Sequence, residues 1–209
     1  MRERAHPIGD AALLIELGSR IDTALNSRCH ALAAALRKRP GVRETAAGYA
    51  SLTVHFDPER TSYQAVRSAA ARLLSEKPRV GPSGRLHRVP VRYDGPDLAE
   101  TATSLELSVE ELVRLHCAPI YRVFMIGFVP GFAYLGPLPV QLRLPRRRVP
   151  RTSVPAGSVA IAGDQTGVYP LTTPGGWHLI GSTDVRMFLP DSDPPSLLRP
   201  GDRVKFAPL

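Results

Sequence analysis

The sequence predicts an α+β protein of two domains, a helix-covered antiparallel sheet followed by a β-barrel or closed sandwich. Three observations lead there. Only 4 of the 21 prolines and 4 of the 17 glycines fall in residues 1–80. Over those residues strand-length and helix-length apolar periods run in the order β-α-β-β-α, whereas residues 85–209 show short β runs separated by turn residues. The chain has 209 residues, 43% of them hydrophobic, enough to bury a core in each half. Residues 1–80 are assigned to the first domain, 81–84 to a linker within Pro78-Arg79-Val80-Gly81-Pro82-Ser83-Gly84, and 85–209 to the second.

In the first domain, residues 11–17 form a strand-length apolar run, and residues 21–39 carry Leu25, Leu32 and Leu36 at helical spacing among alanines. Pro40-Gly41 stops that helix. Residues 42–47 and 51–56 can pair as a hairpin around Gly48, and residues 61–74 return to helical spacing through Val66, Leu73 and Leu74. A last strand before the linker would complete a split-βαβ, ferredoxin-like α/β sandwich. His55 reads as a structural strand residue and Asp10 as a turn acid, so nothing catalytic stands out in this half.

The second domain opens with a strand at residues 86–93, where Val89 and Val91 alternate with Arg88, Pro90 and Arg92. Residues 97–102 suit a helical turn, and Ser108-Val109-Glu110-Glu111 has the Ser-x-x-Glu spacing that satisfies two orphan amides at a helix start, predicting a helix over 109–116. Short β runs follow at 121–126, 158–162, 168–171, 177–180 and 203–206. The turn Pro200-Gly201-Asp202 lets the last of them close the sheet and remove an exposed edge.

Several function classes fall away. No apolar stretch approaches the roughly 20 residues that span a bilayer, and Met1-Arg2-Glu3-Arg4 leads into no secretory h-region. Cys29 and Cys117 are too few for a disulfide scaffold or a four-thiolate zinc site, which predicts a reducing cytoplasm. The net charge of +8 is spread over both halves, with 13 basic and 8 acidic residues in 1–80 and 14 and 11 in 81–209. Its one dense cluster is Arg143, Arg146, Arg147, Arg148 and Arg151. Without an RNP pattern, zinc finger or helix-turn-helix signature, nucleic acid is not an expected partner. P-loop, Rossmann, zincin and nucleophile-elbow signatures are missing and the six histidines are isolated, so neither a metal site nor a nucleophilic triad is expected.

What remains is a pair of glycine- and proline-dense loops with aromatics between them, Gly127-Phe128-Val129-Pro130-Gly131-Phe132-Ala133-Tyr134-Leu135-Gly136 and Thr172-Thr173-Pro174-Gly175-Gly176-Trp177. Glycines admit a ligand close to the main chain, and successive amides in tight turns form an anion nest, so Gly127, Phe128, Pro130, Gly131, Phe132, Pro174, Gly175, Gly176 and Trp177 are candidate binding residues. The alternative is that the glycines merely turn the chain while Phe128, Phe132 and Trp177 fill the core. His116 is either a helix-end imidazole favoured by the macrodipole or a polar pocket group. Arg148 and Arg151 offer planar forks for carboxylate or phosphate, or else form a solvated surface. Gln165, Thr166 and Tyr169 lie on a hairpin at 163–170, at the pocket mouth or as turn stabilisers.

These residues also carry a resemblance. Gly127-Phe128-x-Pro130-Gly131-Phe132-x-Tyr134-Leu135-Gly136, Pro145-Arg146-Arg147-x-x-Pro150-Arg151, Val154-Pro155-Ala156-Gly157-Ser158-Val159-Ala160-Ile161-Ala162-Gly163, Gln165-Thr166-Gly167-x-Tyr169-Pro170 and Pro174-Gly175-Gly176-Trp177-x-Leu179-Ile180-Gly181 resemble the family of the bacterial 5-oxoprolinase B subunit, also described as allophanate hydrolase subunit 1 or KipI-like. Gly9-Asp10-Ala11 and Tyr93-Asp94-Gly95-Pro96-Asp97-Leu98 extend the match over essentially the whole chain, while Gly181-Ser182-Thr183-Asp184 stands where the family commonly has Gly-Arg-Thr-Pro. The resemblance implies a ferredoxin-like domain followed by a cyclophilin-like β-barrel. It implies a hetero-oligomer with a barrel-containing C subunit and an A subunit, opening 5-oxoproline to glutamate with ATP and, as its companion, Mg. On that reading His116 and Arg151 are the catalytic candidates, Arg148 and Gln165 join the loops in binding substrate, and alanine at His116 or Arg151 lowers turnover without unfolding the chain. The other expectations are a KipI-like inhibitor docking a histidine kinase through the same aromatics, and a component of a urea or allophanate pathway.

Overall fold

The structure, a computed structural model, describes residues 4–76 and 84–209, and the chain divides into two compact units, Met1–Pro82 and Ser83–Leu209. The first unit holds β1 (Arg4–Ile8), β2 (Ala12–Glu16), α1 (Thr23–Leu36), β3 (Val42–Ala47), β4 (Ser51–Phe56) and α2 (Tyr63–Ser75). Its antiparallel sheet has the order β1-β2-β4-β3. Leu52, Val54 and Phe56 alternate inward from β4, as the two-residue period of a strand requires. They pack with Leu13 and Ile15 of β2, Leu32 and Leu36 of α1 and Val66 of α2. Each helix starts at a side-chain cap, Asp22 accepting from the Leu25 amide at 2.9 Å and Ser62 from the Ala65 amide at 3.2 Å. Phe56, 2% exposed, closes this core. Phe56→Ala is expected to cost about 3–5 kcal/mol, read as a lower midpoint in chemical denaturation followed by circular dichroism.

One expectation changes here. The closing strand and most of the linker fall on residues 77–83, outside the described residues. The sheet edge beside β2 is occupied instead by β1, which the periodicity does not reveal. Four of its five residues are exposed, so no apolar alternation marks it, and Pro7 is tolerated because an edge strand has one unpaired side.

The second unit contains β5 (Leu86–Val91), α3 (Leu98–Ser104), α4 (Val109–Cys117), β6 (Tyr121–Ile126), β7 (Ala133–Gly136), β8 (Arg151–Val154), β9 (Ser158–Ala162), β10 (Gln165–Val168), β11 (Thr173–Gly175), β12 (His178–Ser182) and β13 (Arg203–Pro208). The expected capping box is present, the Glu111 amide donating to Ser108 Oγ at 3.1 Å and the Ser108 amide to Glu111 Oε2 at 2.9 Å. Seven strands form one sheet in the order β12-β9-β10-β7-β6-β13-β5. Its two ends meet through Arg92 and Ser182, whose backbones exchange hydrogen bonds of 2.9 and 2.7 Å. The sheet is thus a nearly closed barrel, and β13 does fill the gap between β6 and β5, running parallel to β5. The departing segment serves that closure, since Asp184 takes both outer nitrogens of Arg92 at 2.8 and 2.9 Å.

All five residues of β9 are buried, because both of its faces are covered. Val159 and Ile161 face the barrel core with Val89, Val123, Leu135 and Phe206. Ala160 and Ala162 face a separate aromatic cluster built on Phe132, Tyr169 and Trp177. Small side chains on that face leave room for large rings, and so position the site described next.

Candidate functional site

The loop between β6 and β7 is shaped by its own backbone. The Gly127 amide donates to Phe132 O at 3.1 Å, the Val129 amide to Gly127 O at 2.9 Å and the Phe132 amide to Val129 O at 3.1 Å. Phe128 (φ 71°) and Gly131 (φ 81°) lie in the left-handed region that side chains avoid. This conformation turns Phe132 inward, 2% exposed, and leaves Phe128 59% exposed at the rim. Phe132 then meets Phe128, Tyr134, Tyr169 and Trp177 edge to face, with ring centroids 5.6, 4.9, 5.3 and 5.4 Å away, the arrangement that ring quadrupoles favour.

The second loop reaches the same place through β11, whose Thr173 and Gly175 pair with Val154 and Arg151 of β8. A Cβ on Gly175 would overlap the Tyr169 hydroxyl, so glycine is required for the close approach. Together the loops enclose a groove of about 230 Å³ with aromatic walls, Pro150 and Pro174–Gly176 at its sides, and Arg146 as its lining charge. Arg146 makes no ion pair with a described residue, and its charge bears on both Tyr134 and Tyr169. Burial pushes both phenols up, opposed only partly by the Arg146 charge at Tyr134 and by the Trp177 amide and then the Arg146 charge at Tyr169, so they stand in the groove as neutral hydroxyls.

The segment carrying Arg146 is held by a buried carboxylate. Asp97, 3% exposed, accepts from Arg147 Nη1 at 2.8 Å, Arg151 Nη2 at 2.6 Å and the Leu179 amide at 2.7 Å. Burial pushes the Asp97 carboxyl up, but the Arg151 and Leu179 hydrogen bonds and both arginine charges outweigh it and hold the pKa below the usual range. The Arg147 amide also donates to Gly176 O at 2.9 Å, tying the arginine segment to the second loop.

Of the predicted residues, Phe128, Phe132, Pro174, Gly175, Gly176 and Trp177 line the groove. Gly127, Pro130 and Gly131 do not line it but shape its loop, and a Cβ on Gly131 would come within 2.6 Å of Phe188 Cβ. Gln165 opens β10 opposite Ala162, away from the lining. Arg148 lines a second cavity instead. In the first loop the amides of Gly127, Val129 and Phe132 are spent within the loop itself and so are withdrawn from an anion nest, and the charge that lines the groove is that of Arg146.

Neither catalytic candidate lies in the groove. Arg151 is bound to Asp97. His116 is fully buried in the barrel, stacked on Phe206 at 4.6 Å, with Nδ1 against the Tyr93 hydroxyl at 2.7 Å and Nε2 against Thr166 Oγ1 at 2.9 Å. Burial pushes its pKa down to about 3, so it is a neutral core imidazole with both nitrogens occupied. Sequence reasoning passed over Tyr134, Arg146, Pro150 and Asp97 as site residues. All four sat inside the motif segments quoted above, which was the signal available.

Among the described residues no group of three or more His, Cys, Asp or Glu is placed to hold a metal ion, and no helix is long and apolar enough to cross a membrane. A family model for the carboxyltransferase domain, subdomain C and D, matches residues 3–198. The chain is 45% identical to the 5-oxoprolinase B subunit of Escherichia coli, covering 99% of this chain and 96% of that one. It is 41% identical to the 5-oxoprolinase B subunit of Bacillus subtilis, covering 99% and 92%. The crystal structure of TTHA0988 superposes with a TM-score of 0.85 at 42% identity, over 95% of this chain and 40% of that longer one.

Proposed function

From the premise that the chain belongs to the carboxyltransferase-domain subdomain C and D family, we propose that it serves as the B subunit of an ATP-dependent 5-oxoprolinase, working with the A and C subunits to open 5-oxoproline to glutamate. The relatives that cover nearly its whole length bear that name. In this reading its two units are a ferredoxin-like domain and a cyclophilin-like barrel. The observation that carries the proposal is the convergence of two loops on an aromatic groove with a single lining charge, Arg146. A small ring bearing one carboxylate matches such a groove, with apolar faces against Phe128, Phe132 and Trp177 and the carboxylate on the guanidinium fork.

Amide resonance makes a lactam carbon a poor electrophile, and ATP removes that obstacle. The lactam oxygen takes the γ-phosphoryl group while ADP leaves; water then adds at the activated carbon, the ring C–N bond breaks with protonation of nitrogen, and a second water releases phosphate from the acyl phosphate. This chain's part is to bind and orient the ring against its aromatic walls and supply fixed positive charge. With no carboxylate cluster among the described residues, Mg would arrive on the nucleotide phosphates.

The test is reconstitution with the partner subunits and measurement of glutamate release coupled to ATP hydrolysis. Phe128→Gly removes the rim ring and relieves its positive φ, so stability should stay within about 1 kcal/mol. KM for 5-oxoproline should rise about ten-fold. A complex that hydrolyses no 5-oxoproline would overturn the proposal.

A further inference from the structure

Next to the aromatic groove lies a larger cavity of about 540 Å³ whose wall includes Arg143, Arg146, Arg147 and Arg148. Glu100 is the single lining carboxylate, and it stands 3.7 Å from Arg147. Arg147 is anchored behind by Asp97, whereas Arg143, Arg146 and Arg148 are exposed and make no ion pair with a described residue. Two further lining groups are incompletely satisfied. Arg147 Nε and His178 Nδ1 are buried with no hydrogen-bond partner. The His178 ring is fixed by its Nε2–H, which donates to Pro145 O at 2.9 Å. A buried guanidinium N–H such as Arg147 Nε is nearly always matched by an acceptor, and guanidinium forks match phosphate oxygens, whereas His178 Nδ1, on a ring that donates through Nε2, is itself an acceptor and calls for a donor such as a sugar hydroxyl.

We propose that this arginine-lined cavity is a polyphosphate site, which, resting on the ATP-dependent reading above, takes the phosphate chain of a nucleoside triphosphate, with Arg146 as the wall shared between phosphate and lactam. Arg146 lines both cavities, so one guanidinium faces the two ligands at once. Three free arginines against one lining carboxylate select a multiply charged anion over a monocarboxylate. The size difference runs the same way, the smaller groove suiting a five-membered ring and the larger cavity a phosphate chain with its sugar.

The probe is inorganic tripolyphosphate, titrated calorimetrically into the full-length chain. The variants are Arg143→Ala/Arg148→Ala, both exposed, and Arg203→Ala, an exposed arginine on β13 outside both cavities. Wild type and Arg203→Ala should bind alike, and the double variant should bind about 100-fold more weakly, about ten-fold per charged contact. In the reconstituted complex the double variant should raise KM for ATP and leave KM for 5-oxoproline unchanged. Absence of tripolyphosphate binding, or equal weakening in Arg203→Ala, overturns the site. So does stronger binding of a glutamate-rich peptide, which reassigns the surface to an acidic polypeptide. If tripolyphosphate binds as expected and the complex releases no glutamate, the site stands and the oxoprolinase reading fails. If the complex is active and KM for ATP is unmoved in the double variant, the reading stands and the site fails.

Discussion

Asp97→Ala is expected to lower the stability of the barrel unit by about 3–5 kcal/mol, the usual cost of stripping one partner from a buried charge pair. Its two arginines and the Leu179 amide would be left without their shared acceptor. The segment carrying Arg146 would loosen as well, so turnover in the reconstituted complex should fall by more than the unfolded fraction explains. Asp97→Asn keeps an acceptor for Leu179 and loses the charge, and should lie between wild type and Asp97→Ala. Trp177, the single tryptophan, sits in this unit, so tryptophan fluorescence in urea reads its unfolding selectively. The Asp97 carboxyl lies below its usual pKa in the folded state, so its contribution is full above the unfolded value near 4 and is lost as pH falls through the folded value. An Asp97→Asn chain whose acid unfolding matched wild type would refute this role for the Asp97 carboxylate.

His116→Ala should destabilise the same unit by about 3–5 kcal/mol, by leaving a cavity beneath Phe206 and removing a hydrogen-bond partner from both Tyr93 and Thr166. This reverses the expectation of a variant that loses turnover and stays folded. The pH signature is specific. The folded imidazole protonates only near pH 3, whereas the unfolded one takes up a proton near 6.5. Between those values the unfolded state binds the extra proton, so stability falls with acid by about 1.4 kcal/mol per pH unit. His116→Ala should abolish that slope. An unchanged slope between pH 6 and 4 would show that another group produces it.

Expectation and structure agree where the signal is local. The hairpin strands at 42–47 and 51–56 coincide with β3 and β4, because alternation and a turn glycine are legible without tertiary context. The Ser108 box and α4 agree for the same reason. β1 escaped because an exposed edge strand has no period, and β8 and β11 because they are strands of four and three residues that exist only by pairing with each other.

The candidate site divides along a similar line. The glycine- and proline-dense loops announced a shaped backbone, and both reach one groove. Their composition carried no information on which ring turns inward, and it is the left-handed Phe128 and Gly131 that send Phe132 down and leave Phe128 at the rim.

By itself, then, the sequence determined the two-part α+β plan, the helix starts, the turns and the segments from which the groove is made, because capping, periodicity and glycine geometry act over a few residues. Only the tertiary structure decided the fate of the polar groups. Asp97 meets Arg151 across 54 residues, and His116 meets Thr166 across 50. Burial and long-range partners set a side chain's charge state and reach, so identical arginines within one six-residue stretch become anchors at 147 and 151 and, at 146 and 148, cations with no ion pair to a described residue.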